Sequence, residues 1–430
     1  MYAVIGAGPM GLATARNLSK YGIPFVGLEL NSDVGGLWDI DNPHSTMYQS
    51  AHLISSKTMT EFREFPMADD VATYPHHSEM KRYFQGYARH FGLYEHYEFS
   101  TRVDRVERDG EGWQVTTTCN GETRSRYFDG VLIANGTLHK PNMPSLPGKF
   151  DGELMHSCEY RDASVFEGKR VLVVGCGNSA CDIAVDAVHR AASVDLSVRR
   201  GYYFLPKFIA GKPIDTIGGR LKLPRAVKQR VDAQLIRLLV GKPSDYGLPD
   251  PSYRLYESHP VINSLVLHHL GHGDITPHGD IAGIVGKTVT FTDGRSRVYD
   301  LILMGTGYKL DYPFIDRAEL NWHNSDAPQL YLNVFHPRHR NLFMMGMVEA
   351  AGLGWEGRNE QAEMVALYIK ARENHHPVAR KLEARATAEA GKVLDGGFDY
   401  LKLARMAYYV HKDSYRKAVN GHIAELKQGV

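Results

Sequence analysis

Glycines near the start of the chain are spaced as in a turn that binds phosphate groups. Gly6, Gly8 and Gly11 stand at the first, third and sixth positions of a segment that also contains Pro9 and Met10. In such a turn, backbone N–H groups approach a pyrophosphate closely, and the following helix contributes positive potential at its N-terminus. We expect Gly6 to allow the tight turn, Gly8 to let the backbone approach the ligand, and Gly11 to let the helix pack on the preceding strand.

The residues on either side of this turn predict the β-α-β unit that such a site requires. An apolar run over residues 2–5 predicts a buried parallel strand, residues 10–21 an amphipathic helix, and residues 25–30 a second strand. Glu29 lies at the end of the second strand, 23 residues after Gly6. A carboxylate at this place can accept hydrogen bonds from ribose hydroxyls. The pattern therefore predicts a dinucleotide site, and the alternative is a tight turn that binds no ligand.

A second turn of the same type lies further along the chain. Gly175, Gly177 and Ala180 repeat the spacing with alanine at the last position, and Asn178 and Ser179 lie between them. The flanking residues again predict strand, helix and strand, over residues 170–174, 181–192 and 194–198. The sequence therefore predicts a second, separate nucleotide site.

The end of the second strand differs between the two sites. At the later site it carries Ser197, Arg199 and Arg200, and the acidic Asp195 lies too early in the strand to reach a ribose. An arginine at this place can bind a ribose 2′-phosphate through two parallel hydrogen bonds. We therefore expect NADPH rather than NADH at the second site. The alternative is that Arg199 and Arg200 form a solvated surface pair.

Two cysteines accompany the second turn. Cys176 and Cys181 form a Cys-x4-Cys pair, which in flavin disulfide reductases is the redox centre and lies close after the first nucleotide turn. Here the pair lies within the second phosphate-binding turn. We therefore interpret both cysteines as small packing residues.

The composition is that of an ordinary globular protein and argues against several functional classes. Hydrophobic residues make up 43% of the chain and charged residues 23%. A formal net charge of +1 gives no support for a nucleic-acid partner. Four cysteines in 430 residues are too few for a disulfide framework, which favours a cytoplasmic location. No apolar run reaches the length of about 18 residues that a membrane span needs.

The two turns and the segment between them resemble the flavin-containing monooxygenases, which have two dinucleotide-binding domains. Residues 150–160 spell F-D-G-E-L-M-H-S-C-E-Y and match the signature F-x-G-x-x-x-H-x-x-x-Y of that family, at the family's position before the second turn. The resemblance covers nearly the whole chain. Further matches are Gly35-Gly36-Leu37-Trp38, residues 62–67 (F-R-E-F-P-M), Gly305-Thr306-Gly307-Tyr308 and Tyr312-Pro313-Phe314.

The resemblance implies an α/β fold with two Rossmann-like domains, the NADPH domain inserted in the FAD domain. We expect the FAD-binding domain over residues 1–162 and 326–430, and the NADPH-binding domain over residues 163–325. A helical excursion over about residues 205–273 belongs to the NADPH domain, with its helix at 226–240. The tail from Phe398 onward is predicted to be helical.

The resemblance also implies an activity. NADPH reduces FAD, O2 adds to the reduced flavin as a C4a-hydroperoxide, and one oxygen atom passes to a small compound at sulfur or nitrogen. The alternatives are Baeyer–Villiger oxygenation of ketones, a weakly coupled NADPH oxidase that releases hydrogen peroxide, and a non-catalytic FAD-binding interaction protein. The sequence leaves open whether the chain forms a homodimer.

The chemistry in this family belongs to the cofactor, and the protein contributes orientation and exclusion of water. It requires no protein nucleophile and no metal. The 21 histidines are scattered, and adjacent pairs such as His76-His77 are expected on the surface rather than as metal ligands.

Further residues are assigned by the resemblance. Leu37, Trp38 and Val103 are candidate FAD contacts. Gln361, in the segment that returns to the flavin, is another, and the alternative is an ordinary residue at a helix start. His156 lies in the linking signature, where it either communicates between the two domains or is a hydrogen-bonded structural residue. We favour the structural role.

One position departs from the family pattern. Family members usually carry asparagine near the flavin edge, three residues before a lysine, and the alignment through Lys57 places Ile54 there. Isoleucine cannot donate a hydrogen bond. Either His52, Ser55 or Ser56 substitutes, or the oxygenated flavin is held differently. The departure bears on the coupling efficiency and the substrate class and leaves the cofactors unaffected.

Overall fold

The computed structural model describes residues 1–217 and 224–430. The helices are α1 (Pro9–Lys20), α2 (Lys57–Thr60), α3 (His77–His90), α4 (Asn178–Val188), α5 (Arg225–Val240), α6 (Leu265–His272), α7 (Gly354–Glu373), α8 (Pro377–Ala388) and α9 (Lys412–Leu426). The strands are β1 (Tyr2–Ile5), β2 (Phe25–Leu28), β3 (Tyr97–Glu98), β4 (Thr101–Asp109), β5 (Gly112–Cys119), β6 (Glu122–Phe128), β7 (Gly130–Ile133), β8 (Lys140–Pro141), β9 (Gly148–Phe150), β10 (Glu153–His156), β11 (Arg170–Val174), β12 (Ser193–Ser197), β13 (Phe208–Ile209), β14 (Lys212–Pro213), β15 (Ile275–His278), β16 (Ile281–Gly286), β17 (Thr288–Phe291), β18 (Ser296–Val298), β19 (Leu301–Met304), β20 (Tyr308–Lys309) and β21 (Leu342–Met344).

The described residues form two compact units. The first unit comprises Met1–Ser45, Lys57–His139 and Leu310–Val430, and the second comprises Thr46–Ser56 and Lys140–Lys309. Most of the second unit is thus inserted within the chain of the first.

The chain passes from one unit to the other at residues that differ from the predicted boundaries, 162/163 and 325/326. β10 pairs in parallel with β19 in the sheet of the second unit, so the chain enters that unit well before residue 163. Residues 46–56 also belong to the second unit, because the Tyr48 hydroxyl donates to Asp182 of α4 at 2.9 Å.

The first unit is built on a parallel sheet with the strand order β21-β7-β1-β2-β3. All four residues of β1 are buried, as the apolar run predicted. The strand order changes direction at β1, and ligands of open α/β sheets bind beyond the carboxyl ends of the strands at such a point. The antiparallel sheet β4-β5-β6 completes this unit's strands, and Trp113 of β5 lies in the same core as β7.

The second unit repeats this architecture. Its parallel sheet has the order β10-β19-β11-β12-β15, in which β11 lies between β19 and β12, two strands that both follow it in the chain. The core on one face includes Cys181 and Ile183 of α4, packed on Val173 of β11. A mixed sheet, β18-β17-β16-β9, covers further apolar residues. Two units of this kind confirm the predicted α/β class.

Three local predictions, on the excursion, the tail and the His76-His77 pair, have different outcomes in the structure. The predicted excursion over residues 205–273 contains α5, close to the predicted 226–240, and α6, but residues 218–223 of it lie outside the described part of the chain. The prediction that the tail is helical from Phe398 is wrong for its first part, since α9 begins at Lys412. Residues before it pair with other backbone instead, through the bridge between Tyr409 and Glu349, and tertiary pairing of this kind overrides a helical pattern.

The expectation that His76-His77 lies on the surface is also wrong in part. His77 is buried, at 6% exposure, and His76 is the N-cap of α3, where its ring accepts a hydrogen bond from the Ser78 backbone N–H at 3.3 Å. A ring nitrogen that caps a helix satisfies one of the unpaired N–H groups of the first turn.

Candidate functional site

The first glycine turn connects β1 to α1. Gly6 has φ +106°, and a Cβ atom there would lie 2.6 Å from the carbonyl oxygen of Ala134. A Cβ atom at Gly11 would overlap the carbonyl oxygen of Gly6. At Gly8 the nearest atom to an added Cβ would be the Cα of Gly36 at 3.7 Å, an ordinary contact. The packing of the protein therefore requires glycine at the first and last positions but not at Gly8, as expected if a ligand fits beside Gly8.

The amino end of α1 supplies the electrostatics of this turn. Gly8 is the N-cap, with φ −69°, and no side chain caps the helix. Pro9 occupies the first helical position, where a missing N–H costs nothing, and Met10 is buried. An uncapped helix start directs N–H groups and positive potential toward an anion.

Glu29 follows β2 directly and contacts the same turn. Its side chain is buried, and its Oε2 accepts the backbone N–H of Ala7 at 2.5 Å. Its Oε1 accepts the backbone and side-chain N–H groups of Asn31 at 2.8 and 2.7 Å. Burial raises the pKa of Glu29, while these hydrogen bonds favour the ionised form. Three bonds leave acceptor capacity on the carboxylate for a ligand hydroxyl.

The second glycine turn connects β11 to α4, and its glycines have the same roles as those of the first turn. Gly175 has φ +112°, and a Cβ atom there would overlap the carbonyl oxygen of Gly305. At Gly177, the uncapped N-cap of α4, an added Cβ would meet no atom within 4 Å. Ala180 stands where the first turn has its third glycine, and Gly305 makes room for its side chain. A Cβ atom on Gly305 would lie only 2.5 Å from the Cβ of Ala180. As in the first turn, protein packing does not account for a glycine at the middle position.

Other side chains at the second turn are engaged by the protein itself. Asn178 accepts the backbone N–H of Ile262 at 2.7 Å. Ser197 is buried and donates its hydroxyl to the carbonyl of Gly279 at 2.9 Å. These residues shape the turn, so their side chains are less available to a ligand than the sequence suggested.

The two arginines after β12 differ from one another. Arg199 is exposed, and within residues 1–217 and 224–430 its side chain has no ion-pair or hydrogen-bond partner. Arg200 is partly buried, with Nε donating to the hydroxyl of Tyr202 at 3.1 Å and the guanidinium 5.1 Å from the centre of that ring. The two are therefore not an interchangeable surface pair. Arg199 is an exposed cation two residues after β12, and Arg200 is held in place by Tyr202.

Comparison with known proteins identifies the family. The sequence profile of the family described as flavin-binding monooxygenase-like matches residues 1–422. The chain belongs to this family. Dimethylaniline monooxygenase [N-oxide-forming] 2 of Pan troglodytes is 31% identical over 393 residues, which cover 86% of this chain and 73% of that protein. The chain is therefore an oxidoreductase of the flavin-containing monooxygenase type.

Solved structures agree on the fold of the monooxygenase. S-allyl-L-cysteine S-oxygenase from Allium sativum superposes with a TM-score of 0.69 at 21% identity, covering 98% of this chain and 88% of that one. The open structure of cyclohexanone monooxygenase gives a TM-score of 0.74 at 20% identity, covering 100% of this chain and 98% of that one. The predicted pair of Rossmann-like domains is confirmed by this likeness.

The remaining candidate FAD contacts of the monooxygenase lie in the first unit. Leu37 and Trp38 form a short 3-10 turn after Gly35, and the Trp38 ring meets that of Trp355 edge to face at 6.3 Å. Val103 is partly buried at an irregularity of β4.

Gln361 is not at a helix start, because α7 already begins at Gly354. Its side chain is fully buried. The amide oxygen accepts the Gly346 N–H at 2.8 Å, and the amide nitrogen donates to the Tyr415 hydroxyl at 2.6 Å. Both ends of the amide are thus used within the protein, and a direct flavin contact by Gln361 stays a prediction.

The residues at the family departure lie in the second unit. Ile54 and Ser55 are partly buried, and His52 is exposed, with its Nδ1 2.8 Å from the Ser50 carbonyl oxygen that accepts its proton. The neighbouring Ser56 donates its backbone N–H to Asp215 at 2.6 Å. The Ser56 contact therefore anchors one end of the loop, whereas the His52 contact lies within the loop. The role of its apolar side chain stays a prediction.

His156 is a structural residue within the second unit, in line with the interpretation favoured from the sequence. It is buried, its Nδ1 accepts the Cys158 N–H, and its Nε2 donates to the carbonyl of Gly307, each at 3.1 Å. Burial lowers the pKa of His156, so the neutral ring with its proton on Nε2 matches both contacts. His156 thereby ties the linking signature to the Gly305–Tyr308 motif.

The cysteine pair of the second turn is packed in a core. Cys176 and Cys181 are both buried free thiols, with their sulfur atoms 3.8 Å apart. The contact with Cys176, together with burial, raises the pKa of the Cys181 thiol well above its ordinary value. A buried thiol that resists ionisation is a poor nucleophile, which supports the packing interpretation.

Sequence reasoning missed Tyr97. Its hydroxyl donates to the carbonyl of Gly6 at 3.3 Å, and its ring occupies the space that a side chain at Gly27 would need. The available signal was Gly27 itself, since a glycine inside a strand often marks a close approach by another group. Tyr97 therefore helps to hold the first turn in shape.

Two features are absent from the described part of the chain. Across the described ranges, no group of three or more histidine, cysteine or acidic side chains is arranged to hold a metal ion. Nor does any helix in those ranges have the length and apolar character to cross a bilayer.

Proposed function

We propose that this chain is an NADPH- and O2-dependent monooxygenase that transfers one oxygen atom to the sulfur or nitrogen of a small compound. FAD binds at the Gly6–Gly11 turn and NADPH at the Gly175–Ala180 turn. The observation that carries the proposal is the pair of middle glycines, Gly8 and Gly177, which protein packing does not require. The names of two similar proteins support nitrogen and sulfur as the atoms that are oxidised, since one is described as N-oxide-forming and the other as an S-oxygenase.

The first turn fits FAD. The uncapped start of α1 faces the space beside Gly8, where a pyrophosphate can accept backbone N–H groups. Glu29 keeps acceptor capacity for a ribose hydroxyl and is already oriented by Ala7. A carboxylate at this place disfavours a 2′-phosphate through repulsion, which suits a nucleotide without one.

The second turn fits NADPH. Gly177 leaves the start of α4 open to a pyrophosphate. Arg199, two residues after β12, provides a guanidinium that has no ion-pair partner among the described residues. A guanidinium binds a phosphate through charge-assisted hydrogen bonds. Asp195, the acid in this strand, is buried and accepts the Tyr299 hydroxyl at 2.5 Å, so it does not oppose the phosphate.

When bound and reduced, FAD supplies the activation of O2 and the transfer of one oxygen atom. The chain contributes position and exclusion of water. The two helix starts hold the pyrophosphates, and the arginine selects the hydride donor. His156 and Tyr97 hold their turns in shape through hydrogen bonds to Gly307 and Gly6.

The test is oxygen incorporation from 18O2 with NADPH as reductant. A thioether, a tertiary amine and a cyclic ketone are each incubated with the purified protein, and products are analysed by mass spectrometry alongside NADPH consumption. We expect labelled sulfoxide or N-oxide and little ester. NADH in place of NADPH is the matched control and should support slower turnover.

Two outcomes correspond to the alternatives. Labelled lactone as the main product would establish Baeyer–Villiger oxygenation, which the likeness to cyclohexanone monooxygenase favours. NADPH consumption matched by hydrogen peroxide, with no labelled product, would establish an oxidase, which the isoleucine at position 54 favours. A protein that binds no flavin would contradict all of these functions.

A further inference from the structure

A cavity of about 500 Å³ lies in the first unit beside a run of basic residues. The run is His336-Pro337-Arg338-His339-Arg340, which is separated from β21 by one residue. Arg380 and Glu383 of α8 line the same cavity. Neither the dinucleotide sites nor the proposed reaction uses these residues.

His336 contributes a buried hydrogen-bond donor with no acceptor. Its Nδ1 accepts the backbone N–H groups of Arg338 and His339 at 3.0 and 2.7 Å. Nδ1 therefore carries no proton, and the ring proton is on Nε2. Nε2 is buried and has no hydrogen-bond partner in the described part of the chain. Burial lowers the pKa of His336 to about 3, so the ring is a neutral donor at physiological pH.

A buried donor without a partner is rare in folded proteins and calls for an explanation. The ring of His336 lines the cavity, and the side chain is 5% exposed. An acceptor oxygen of a ligand in the cavity would satisfy Nε2 if the ring turned toward it.

The charges around the cavity favour an anion. Arg338 and Arg380 are exposed, and neither has an ion-pair partner among the residues that the structure describes. The acidic residue of the lining, Glu383, is already neutralised by Arg340 at 3.3 Å and accepts the Tyr368 hydroxyl at 2.9 Å. The cavity is therefore lined by the His336 ring and by two exposed guanidinium groups that have no ion-pair partner among the described residues.

This cavity is separate from the FAD site proposed above. β21 runs parallel to β7, and β7 parallel to β1. The glycine turn follows the carboxyl end of β1, whereas residues 336–340 precede the amino end of β21. In a parallel sheet the amino and carboxyl ends of the strands lie on opposite sides, so the two sites do not share a ligand.

We propose that this cavity binds a small organic anion through a phosphate or carboxylate group, which His336, Arg338 and Arg380 hold together. The volume exceeds what inorganic phosphate needs and is within the range of sites for small organic molecules. The rest of the lining includes apolar groups of Phe335, Leu382 and Ala386, which suit a carbon skeleton.

Isothermal titration calorimetry with pyrophosphate and with citrate tests the proposal, using the FAD-loaded protein in excess NADP+ so that both nucleotide sites are filled. We expect one binding site per chain for at least one probe. Arg338→Ala and Arg380→Ala should each weaken that binding by about tenfold, the effect of losing one charged hydrogen bond. Both side chains are exposed, so the fold should be unaffected.

His336→Asn is the matched variant for the donor. The asparagine side-chain oxygen can still accept the N–H groups of Arg338 and His339, but the donor at the Nε2 position is lost. We expect weaker binding with an unchanged melting temperature. Arg199→Ala is the control for nucleotide binding and should leave the affinity for the probe unchanged.

Several results would overturn the proposal. One is the absence of binding for both probes down to an affinity of about 1 mM. Another is unchanged affinity in the Arg338→Ala, Arg380→Ala double variant, or in a folded His336→Asn variant. A site abolished by Arg199→Ala would belong to the nucleotide turn instead.

Discussion

The two glycine turns have nearly the same backbone and differ in what surrounds them. Each has a first glycine at φ above +100°, a middle glycine that protein packing does not require, and a helix start without a side-chain cap. The last position is Gly11 in one turn and Ala180 in the other, and the alanine is accommodated by a second glycine, Gly305. The shared features match the shared part of two dinucleotides, the pyrophosphate.

The difference lies at the end of the second strand. The first turn has Glu29, which is buried and bonded to Ala7, and the second has Arg199, which is exposed and unpaired among the described residues. The acid of the second unit, Asp195, lies two residues before the end of β12, where Tyr299 and His278 hydrogen-bond it. From this comparison we propose that the turn selects a dinucleotide in general, whereas one side chain outside it selects the ribose substituent.

The largest effect is expected from Gly8→Val. The branched side chain would occupy the space for the pyrophosphate, so the protein should lose FAD and all activity. Valine at an N-cap costs the helix about 1 kcal/mol, and φ of −69° is open to any residue, so the fold should persist. Flavin absorbance and circular dichroism are the measurements. Full flavin occupancy in the variant would mean that the first turn is assigned to the wrong ligand.

Gly177→Val is the matched change in the second turn. Because nothing lies within 4 Å of an added Cβ there, the fold and the bound FAD should remain. NADPH should no longer reduce the flavin, whereas dithionite should. Flavin bleaching under anaerobic conditions measures both. Loss of FAD from this variant would show that the two turns are not independent sites.

Arg199→Ala should have a smaller and more selective effect. The KM for NADPH should rise about ten- to a hundredfold, the effect of one charged hydrogen bond, while the use of NADH stays nearly unchanged. Arg200→Ala is the control, because Arg200 is engaged by Tyr202. Equal losses with both nucleotides would indicate a folding defect, and a larger effect of Arg200→Ala would transfer the role to that residue.

The smallest effect is expected from Ile54→Asn. We expect the wild-type protein to release hydrogen peroxide from NADPH without substrate, because isoleucine offers no donor near the reacting edge of the flavin that the resemblance places there. The added donor should lower the ratio of peroxide to NADPH by about fivefold, the effect of about 1 kcal/mol from one neutral hydrogen bond. A coupled peroxidase assay measures the ratio.

The opposite result would also be informative. A tightly coupled wild type, with greater leakage in Ile54→Asn, would show that the apolar side chain protects the flavin by excluding water. Ile54→Val is the control, since it keeps the apolar character and adds no donor.

The sequence by itself determined the features that depend on neighbouring residues. Both turns, their strands and helices, Glu29 and Arg199 follow from spacing within about 30 residues, because a tight turn and a helix start are local conformations. The matches to the family then carried the fold and the reaction class, which the comparisons confirm.

Only the tertiary structure decided what depends on distant residues. Tyr48 meets Asp182 across 134 residues and so brings residues 46–56 into the second unit, and Gly305 makes room for Ala180. That Nε2 of His336 has no hydrogen-bond partner among the described residues is likewise visible only once the chain has folded around it. Such contacts are set by packing between separate elements, and no pattern of neighbouring residues encodes them.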